Sequence, residues 1–140
     1  IDFGNLFHEI FAKITTKDDL ENVLVHYHQQ GVLDDEQTDF IRQRISSVVN
    51  HPRLATYYSD DVTVFNEREI IDTDKQVMIP DRLIFIKEKK VVIIDYKTGT
   101  PSLEHHQQLL KYERVLHSMD VTVDKKVLIY LNDEIDIISV

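Results

Sequence analysis

The run Val91-Val92-Ile93-Ile94 constrains the fold of this chain most, because four consecutive residues are apolar. A strand that is apolar on both faces has to be covered on both sides, as in the centre of an α/β sheet. The run is followed directly by Asp95, Tyr96 and Lys97. Side chains alternate along a strand, so we expect Asp95 and Lys97 on one face and Tyr96 on the other.

The spacing of apolar residues divides the chain into a helical first part and a β-rich second part. Apolar residues recur at three- and four-residue steps in the predicted helices 3–14, 17–30 and 34–48, and a short helix is predicted over 52–58. The predicted strands are 62–71, 77–86, 91–97, 127–131 and 135–140, with a helix over 102–118. The predicted N-caps are Asp2, Thr16 and Ser102, and Gly31 is the predicted left-handed C-cap.

These elements predict an α/β fold, in which a central mixed sheet is flanked by helices. The 140 residues fit a single domain, with a helical segment 1–58 before a sheet core 62–140 that contains the 102–118 helix. The chain begins with Ile1 rather than Met, so we expect a domain excised from a larger protein. No apolar run approaches the roughly 20 residues that span a bilayer, and we expect a soluble, cytoplasmic protein without a membrane partner.

Composition limits the chemistry that the chain can carry. It has no cysteine, which excludes disulfides, zinc–thiolate sites and cysteine-held iron–sulfur clusters, so a metal would need oxygen or imidazole ligands. The formal net charge of −9 counts against a nucleic-acid role, because phosphate binding normally depends on Lys and Arg. A divalent cation reverses the sign of an acidic site, however, and a larger basic protein can deliver DNA. We therefore expect weak DNA affinity in isolation.

Two acidic residues stand in apolar surroundings, where a carboxylate without a partner is costly. Asp81 lies between Ile79 and Leu83, and Asp95 follows the apolar run. The short connection 87–90 predicts an antiparallel hairpin that brings the two carboxylates side by side. Such a pair repels unless a cation binds, and an oxygen-rich site suits Mg²⁺, with Mn²⁺ as the alternative. An Asp two residues before a Lys is, by itself, more typical of a solvated turn.

Strand parity decides whether this site can form. A regular four-residue turn over 87–90 would pair Arg82 with Asp95 and put Asp81 on the opposite face. A three-residue loop, a five-residue loop or a bulge near Asp81 would bring both carboxylates to one face. Pro80 favours such an irregularity, because it cannot donate a ladder hydrogen bond.

Five short segments occur in the order found in a known nuclease family. They are Gly4-Asn5-Leu6-Phe7-His8, Arg68-Glu69, Ile79-Pro80-Asp81-Arg82-Leu83, Val92-Ile93-Ile94-Asp95-Tyr96-Lys97-Thr98-Gly99, and Gln108-Leu109 with Tyr112. Through them the chain, from Gly4 to Leu116, resembles the RecB- and AddA-type nuclease domains of the PD-(D/E)XK superfamily. It departs from them at Pro80, where Gly is frequent, and at His105, where an aromatic residue often precedes the Gln motif.

The resemblance implies a restriction-endonuclease-like fold and the activity of a Mg²⁺-dependent deoxyribonuclease. It also implies a setting, in which the domain is the exonuclease module of an ATP-dependent helicase–nuclease that acts in DNA double-strand-break repair. DNA, the helicase domains of the parent protein and a second helicase–nuclease subunit are the implied partners. No iron–sulfur cluster is expected. The implied metal ligands are His8, Asp81, Asp95 and the carbonyl of Tyr96. The implied catalytic groups are Asp81, Asp95 and Lys97, with Glu69 as an accessory acid and Gln108 and Tyr112 shaping the site.

Simpler interpretations stand beside these. His8 can be a boundary residue, Glu69 a solvated strand residue, and Gln108 and Tyr112 an ordinary hydrogen-bonded pair one helical turn apart. The other histidines, including His105, show no ligand spacing and are predicted to be surface residues. A non-catalytic scaffold or DNA clamp of the same fold is the main alternative function, and an unrelated acidic interaction domain is the third.

Overall fold

The computed structural model describes all residues from 1 to 140. The chain forms two compact units, Ile1–Val62 and Thr63–Val140. The first unit is helical and the second contains all seven strands.

The N-terminal unit consists of three α-helices and two short 3₁₀ helices. They are α1 (Phe3–Ala12), a 3₁₀ turn (Lys17–Asp19), α2 (Leu20–Gln29), α3 (Asp35–Val49) and a second 3₁₀ turn (Ala55–Tyr58). The predicted helices are confirmed. The second begins with a 3₁₀ turn, and the fourth is a 3₁₀ helix throughout. No helix in the chain is long and apolar enough to span a lipid bilayer.

Local capping explains where these helices begin. The Asp2 carboxylate accepts the backbone N–H of Asn5 at 3.1 Å, and Thr16 forms a capping box with Asp19. At the end of α2, Gly31 has a φ of +74°, a left-handed conformation that favours glycine. The caps predicted from the sequence are therefore observed.

The C-terminal unit is a five-stranded mixed sheet with one long helix and a separate two-stranded ribbon. Its elements are β1 (Thr63–Asn66), β2 (Ile70–Ile71), β3 (Val77–Met78), β4 (Arg82–Lys87), β5 (Lys90–Lys97), α4 (Leu103–Ser118), β6 (Thr122–Leu131) and β7 (Ile135–Ser139). The sheet order is β1-β4-β5-β6-β7, and β2 pairs with β3. Only β5 and β6 are parallel, joined through α4. The predicted mixed sheet with β5 at its centre is confirmed.

Two predicted strands are each divided in two. The run 62–71 forms β1 and β2, because Glu67 has a φ of +49°, which an extended strand cannot contain. Glu69 consequently lies in an irregular, exposed segment and not in the first strand. The run 77–86 forms β3 and β4, interrupted by Ile79, Pro80 and Asp81. Pro80 is buried at this interruption, in keeping with its inability to join a ladder.

The β4–β5 hairpin has the odd offset that the site requires. Lys87 pairs with Lys90 across a two-residue turn, whereas Phe85 pairs with Val91, so Ile86 is an extra residue. The bulge therefore lies next to the turn. The alternative drawn from the sequence, a bulge near Asp81, is wrong. Beyond it the register runs without a break to Arg82 opposite Ile94, and one further step puts Asp81 opposite Asp95.

Helix α4 covers the face of the sheet that carries the odd-numbered residues of β5. Val91 and Ile93 pack there in a core with Leu109, Leu116 and Leu128. Asp95 and Lys97 continue the same alternation beyond this core. Because Val91 and Ile93 are buried beneath α4, the side chains of Asp95 and Lys97 leave β5 on that same face.

Candidate active site

Asp81 and Asp95 are joined by reciprocal hydrogen bonds between side chain and backbone. The backbone amide of Asp81 donates to Oδ1 of Asp95 at 2.9 Å, and the amide of Tyr96 donates to Oδ2 of Asp81 at 2.9 Å. Each backbone amide therefore fixes the orientation of the carboxylate that accepts from it. The expectation that both acids share one face of the sheet is confirmed.

Asp95 is one of the few buried charged groups in the chain, with 2% of its surface exposed. The Nζ of Lys97 lies 4.0 Å from Oδ2 of Asp95. This contact confirms that the two side chains leave β5 on one face. Two carboxylates and one ammonium group therefore lie together at the end of β5.

Gln108 connects the lysine to helix α4. Its Oε1 accepts a hydrogen bond of 2.8 Å from Lys97 Nζ. Tyr112 lies one helical turn further along α4, where the Gln108 side chain influences its hydroxyl. The structure therefore brings together five of the predicted site residues, namely Asp81, Asp95, Lys97, Gln108 and Tyr112.

Tyr112 is 5% exposed, and its hydroxyl is affected by both carboxylates. Burial raises the pKa of the Tyr112 phenol well above its ordinary value, and the negative charges of Asp95 and Asp81 raise it further. The Gln108 side chain opposes this shift. The phenol is consequently a neutral hydrogen-bond donor at physiological pH.

His105 belongs to this neighbourhood, although the sequence predicted a surface residue. It is half-buried, and its Nδ1 lies 2.8 Å from the hydroxyl of the buried Tyr130. Burial lowers the pKa of His105, the charge of Lys97 lowers it further, and Glu104 partly offsets this. The sequence signal that could have placed His105 near the site is its position three residues before Gln108, which puts both side chains on one helical face.

The backbone after β5 is held by the residue that follows the neighbouring parallel strand β6. Oδ1 of Asn132 accepts the Gly99 amide at 3.0 Å, and Nδ2 of Asn132 donates to the Gly99 carbonyl at 2.9 Å. Gly99 has a φ of +84°, so a side chain there would strain the turn. Asn132, predicted only as part of a turn, thereby fixes the segment that follows Lys97.

The other two predicted side chains are Glu69, in the C-terminal unit, and His8, in the N-terminal unit. Glu69 is exposed and takes no part in the hydrogen bonds of the carboxylate pair. His8 belongs to α1 in the N-terminal unit, where its Nδ1 lies 2.9 Å from the carbonyl of Gly4. Because a carbonyl only accepts, Nδ1 is the donor in this contact, and a metal would have to bind through Nε2. The role of His8 as a ligand stays a prediction.

The donor set of the C-terminal unit suits a hard divalent cation. Asp81 and Asp95 offer carboxylate oxygens, and the carbonyl of Tyr96 follows Asp95 directly. No group of three or more His, Asp or Glu side chains is gathered closely enough to hold a metal. From the C-terminal unit alone, a cation would therefore have two carboxylates and backbone oxygen, with water and substrate oxygens completing its coordination, which is how Mg²⁺ is commonly bound.

The fold and this cluster define an α/β protein of the restriction-endonuclease type, with acids and a lysine at the end of a central strand. The family model of the PD-(D/E)XK nuclease superfamily matches residues 1–135, and the chain belongs to that superfamily. The residues Pro80-Asp81 and Asp95-Tyr96-Lys97 occur in the order of the amino-acid letters in the superfamily's name. Members of the superfamily are generally nucleases and typically use divalent metals. No curated protein matches the chain.

Proposed function

We propose that this chain is a Mg²⁺-dependent deoxyribonuclease, with Mn²⁺ as an alternative cofactor. The observation that carries the proposal is the hydrogen-bonded pair of Asp81 and the buried Asp95, beside Lys97 on one face of the central sheet. Two carboxylates held this close together repel one another, and a bound cation would offset that repulsion. The superfamily membership supports the same conclusion.

In this proposal, Asp81, Asp95 and the Tyr96 carbonyl hold the cation, with His8 as a further ligand. A bound divalent cation polarises the phosphate and makes an attacking water more acidic. The backbone amides of Asp81 and Tyr96 keep the two carboxylates oriented before any ligand arrives. This preorganisation reduces the reorganisation needed during the reaction.

Lys97 is the proposed catalytic lysine, and Gln108 is its positioning residue. The hydrogen bond from Nζ to Gln108 Oε1 uses one of the three donors of the ammonium group. Its other donors orient the water that attacks phosphorus or stabilise the charge that develops on the phosphate oxygens. The neutral Tyr112 hydroxyl donates a hydrogen bond to an oxygen of the same phosphate.

The wider setting follows from the resemblance to RecB- and AddA-type domains. We propose that residues 1–140 act as one nuclease domain, an exonuclease module attached to the helicase domains of a larger protein that repairs DNA breaks. A second helicase–nuclease subunit is a further proposed partner. Delivery of DNA by these partners compensates for the net charge of −9. Glu69 would act as an accessory acid only once DNA or metal is bound.

Cleavage of linear DNA tests the proposal directly. The 140-residue chain is incubated with end-labelled DNA in Mg²⁺, in Mn²⁺ and in EDTA, beside an Asp95→Asn variant of matched purity. We expect degradation by the parent chain with either metal and none in EDTA or with Asp95→Asn. A variant as active as the parent would contradict the proposed mechanism. A folded, Mg²⁺-loaded parent chain that cuts no DNA would support the scaffold alternative.

A further inference from the structure

A groove of about 820 Å³ lies on the C-terminal unit between α4 and the segment around β3. One wall is the outer face of α4, with Lys111 and Arg114. The opposite wall contains Val77 and Ile79. The proposed mechanism uses Gln108 and Tyr112 from the lining but leaves Lys111, Arg114 and the aliphatic wall without a role.

The α4 wall is cationic in a chain that is otherwise acidic. Lys111 and Arg114 are exposed and three residues apart, so both point from the same side of the helix. Glu104, also in the lining, lies about two turns away towards the start of α4. The acidity of the chain is also uneven, with a formal charge of −6 on residues 1–62 and −3 on residues 63–140. The charged residues of the lining, Glu104, Lys111 and Arg114, sum to +1, so the groove is more favourable for a polyanion than the chain as a whole.

The other wall is aliphatic and open to solvent. Val77 is 54% exposed and Ile79 is 45% exposed, while Leu110 on the helix side is 40% exposed. A groove with cations on one side and apolar side chains on the other matches a ligand with phosphates along one edge and flat apolar surfaces along the other. Unpaired nucleotides have this character, whereas a duplex hides the faces of its bases.

The groove is continuous with the candidate active site. Gln108 lines it and also accepts the hydrogen bond from Lys97. Tyr112 lines it as well, and its hydroxyl responds to the charges of Asp95 and Asp81. On the other wall, Ile79 lies two residues before Asp81. A strand bound in the groove would lead directly to the acid pair.

We propose that this groove binds a single strand of DNA, with phosphates against Lys111 and Arg114 and bases against Val77, Ile79 and Leu110. The proposal rests on the proposed nuclease function and adds the form of the substrate and the residues that guide it. Lys111 and Arg114 then determine how tightly the strand is held, and the aliphatic wall determines the preference for unpaired bases.

Binding of a fluorescent dT₂₀ oligonucleotide tests the proposal without relying on cleavage. The 140-residue chain carries Asp95→Asn, which prevents turnover and removes one repelling charge. Against this background, Lys111→Ala with Arg114→Ala is compared with Lys87→Ala and Lys89→Ala. The control removes the same charge from the exposed β4–β5 turn, at the opposite end of β5 from Lys97. Anisotropy is measured over a range of salt concentrations.

We expect the groove variant to bind the oligonucleotide at least about ten-fold more weakly, with a salt slope smaller by about 1.4 for two lost phosphate contacts. The control should change affinity less than about three-fold. Val77→Ser with Ile79→Ser should weaken binding of dT₂₀ but not of an abasic strand of equal length. Equal effects of the groove and control variants would overturn the proposal, as would duplex competing as well as single strand.

Failure of this proposal and failure of the nuclease function are distinguishable. If the parent chain cleaves DNA while the groove variant has unchanged affinity and KM, the groove assignment is wrong and the nuclease assignment stands. If the groove variant loses affinity while the parent cleaves nothing, the strand-binding site stands and the catalytic assignment falls.

Discussion

The amide of Asp81 donates to the carboxylate of Asp95 across 2.9 Å, so the backbone of one acid orients the side chain of the other. The register of β4 and β5 makes this contact, because it sets the two residues opposite one another. Substitutions of Asp95 therefore affect the local structure as well as the charge. Replacements of Asp95 that remove the same charge can therefore differ in stability, depending on whether they keep an acceptor for the Asp81 amide.

Asp95→Asn and Asp95→Ala should differ in stability although both abolish cleavage. Asn keeps an oxygen that accepts the Asp81 amide and removes a repelling charge, so its free energy of unfolding should stay within about 1 kcal/mol of the parent. Ala removes that acceptor, and we expect a loss of about 1–3 kcal/mol. Urea unfolding followed by circular dichroism measures both. Equal stabilities would show that the hydrogen bond is unimportant.

Lys97 and Gln108 should act as one unit in catalysis, because Gln108 contacts Lys97 Nζ. We expect Lys97→Met to lower kcat by at least about 100-fold and Gln108→Ala by about 10-fold. The double variant should resemble Lys97→Met alone, since a positioning residue has no effect without the group it positions. Single-turnover cleavage rates give the comparison. Additive effects would mean that Gln108 acts independently of Lys97.

Tyr112 should remain protonated in the folded chain at pH values where an ordinary tyrosine, with a pKa of about 10, has ionised. Burial and the charges of Asp95 and Asp81 cause this. Because the folded-state pKa is raised, the contribution of Tyr112 to stability is complete below pH of about 10 and is lost as the pH rises further. The ¹³Cζ shift of labelled tyrosine gives the titration. Asp95→Asn should lower the pKa of Tyr112, and an unchanged value would contradict the assigned cause.

Asn132 should stabilise the turn after β5 through its two hydrogen bonds to Gly99. We expect Asn132→Ala to lower the free energy of unfolding by about 1 kcal/mol, since both bonds are solvent-exposed. Asn132→Asp keeps the acceptor for the Gly99 amide and loses only the donor. Amide hydrogen exchange at Gly99 should therefore accelerate strongly in the Ala variant and weakly in the Asp variant. Similar exchange in all three proteins would rule out this role.

Local sequence patterns predicted most elements correctly because their causes are local. Asp2 caps α1 by reaching an amide three residues away, and Gly31 ends α2 through its own backbone conformation. The alternation that put Asp95 and Lys97 on one face depends only on a strand's repeat. The strand interruptions were harder to predict, because an Asn-Glu-Arg segment gives no indication that Glu67 adopts a positive φ.

The sequence by itself determined the helices, the central apolar strand and the residue types of the candidate site, since each depends on neighbours within a few positions. Only the tertiary structure decided whether Asp81 and Asp95 meet. That outcome depends on one extra residue, Ile86, in the β4–β5 hairpin, and the placement of a bulge follows from how the two strands pack and twist. The contact of His105 with Tyr130, 25 positions away, likewise required the packing of α4 on the sheet.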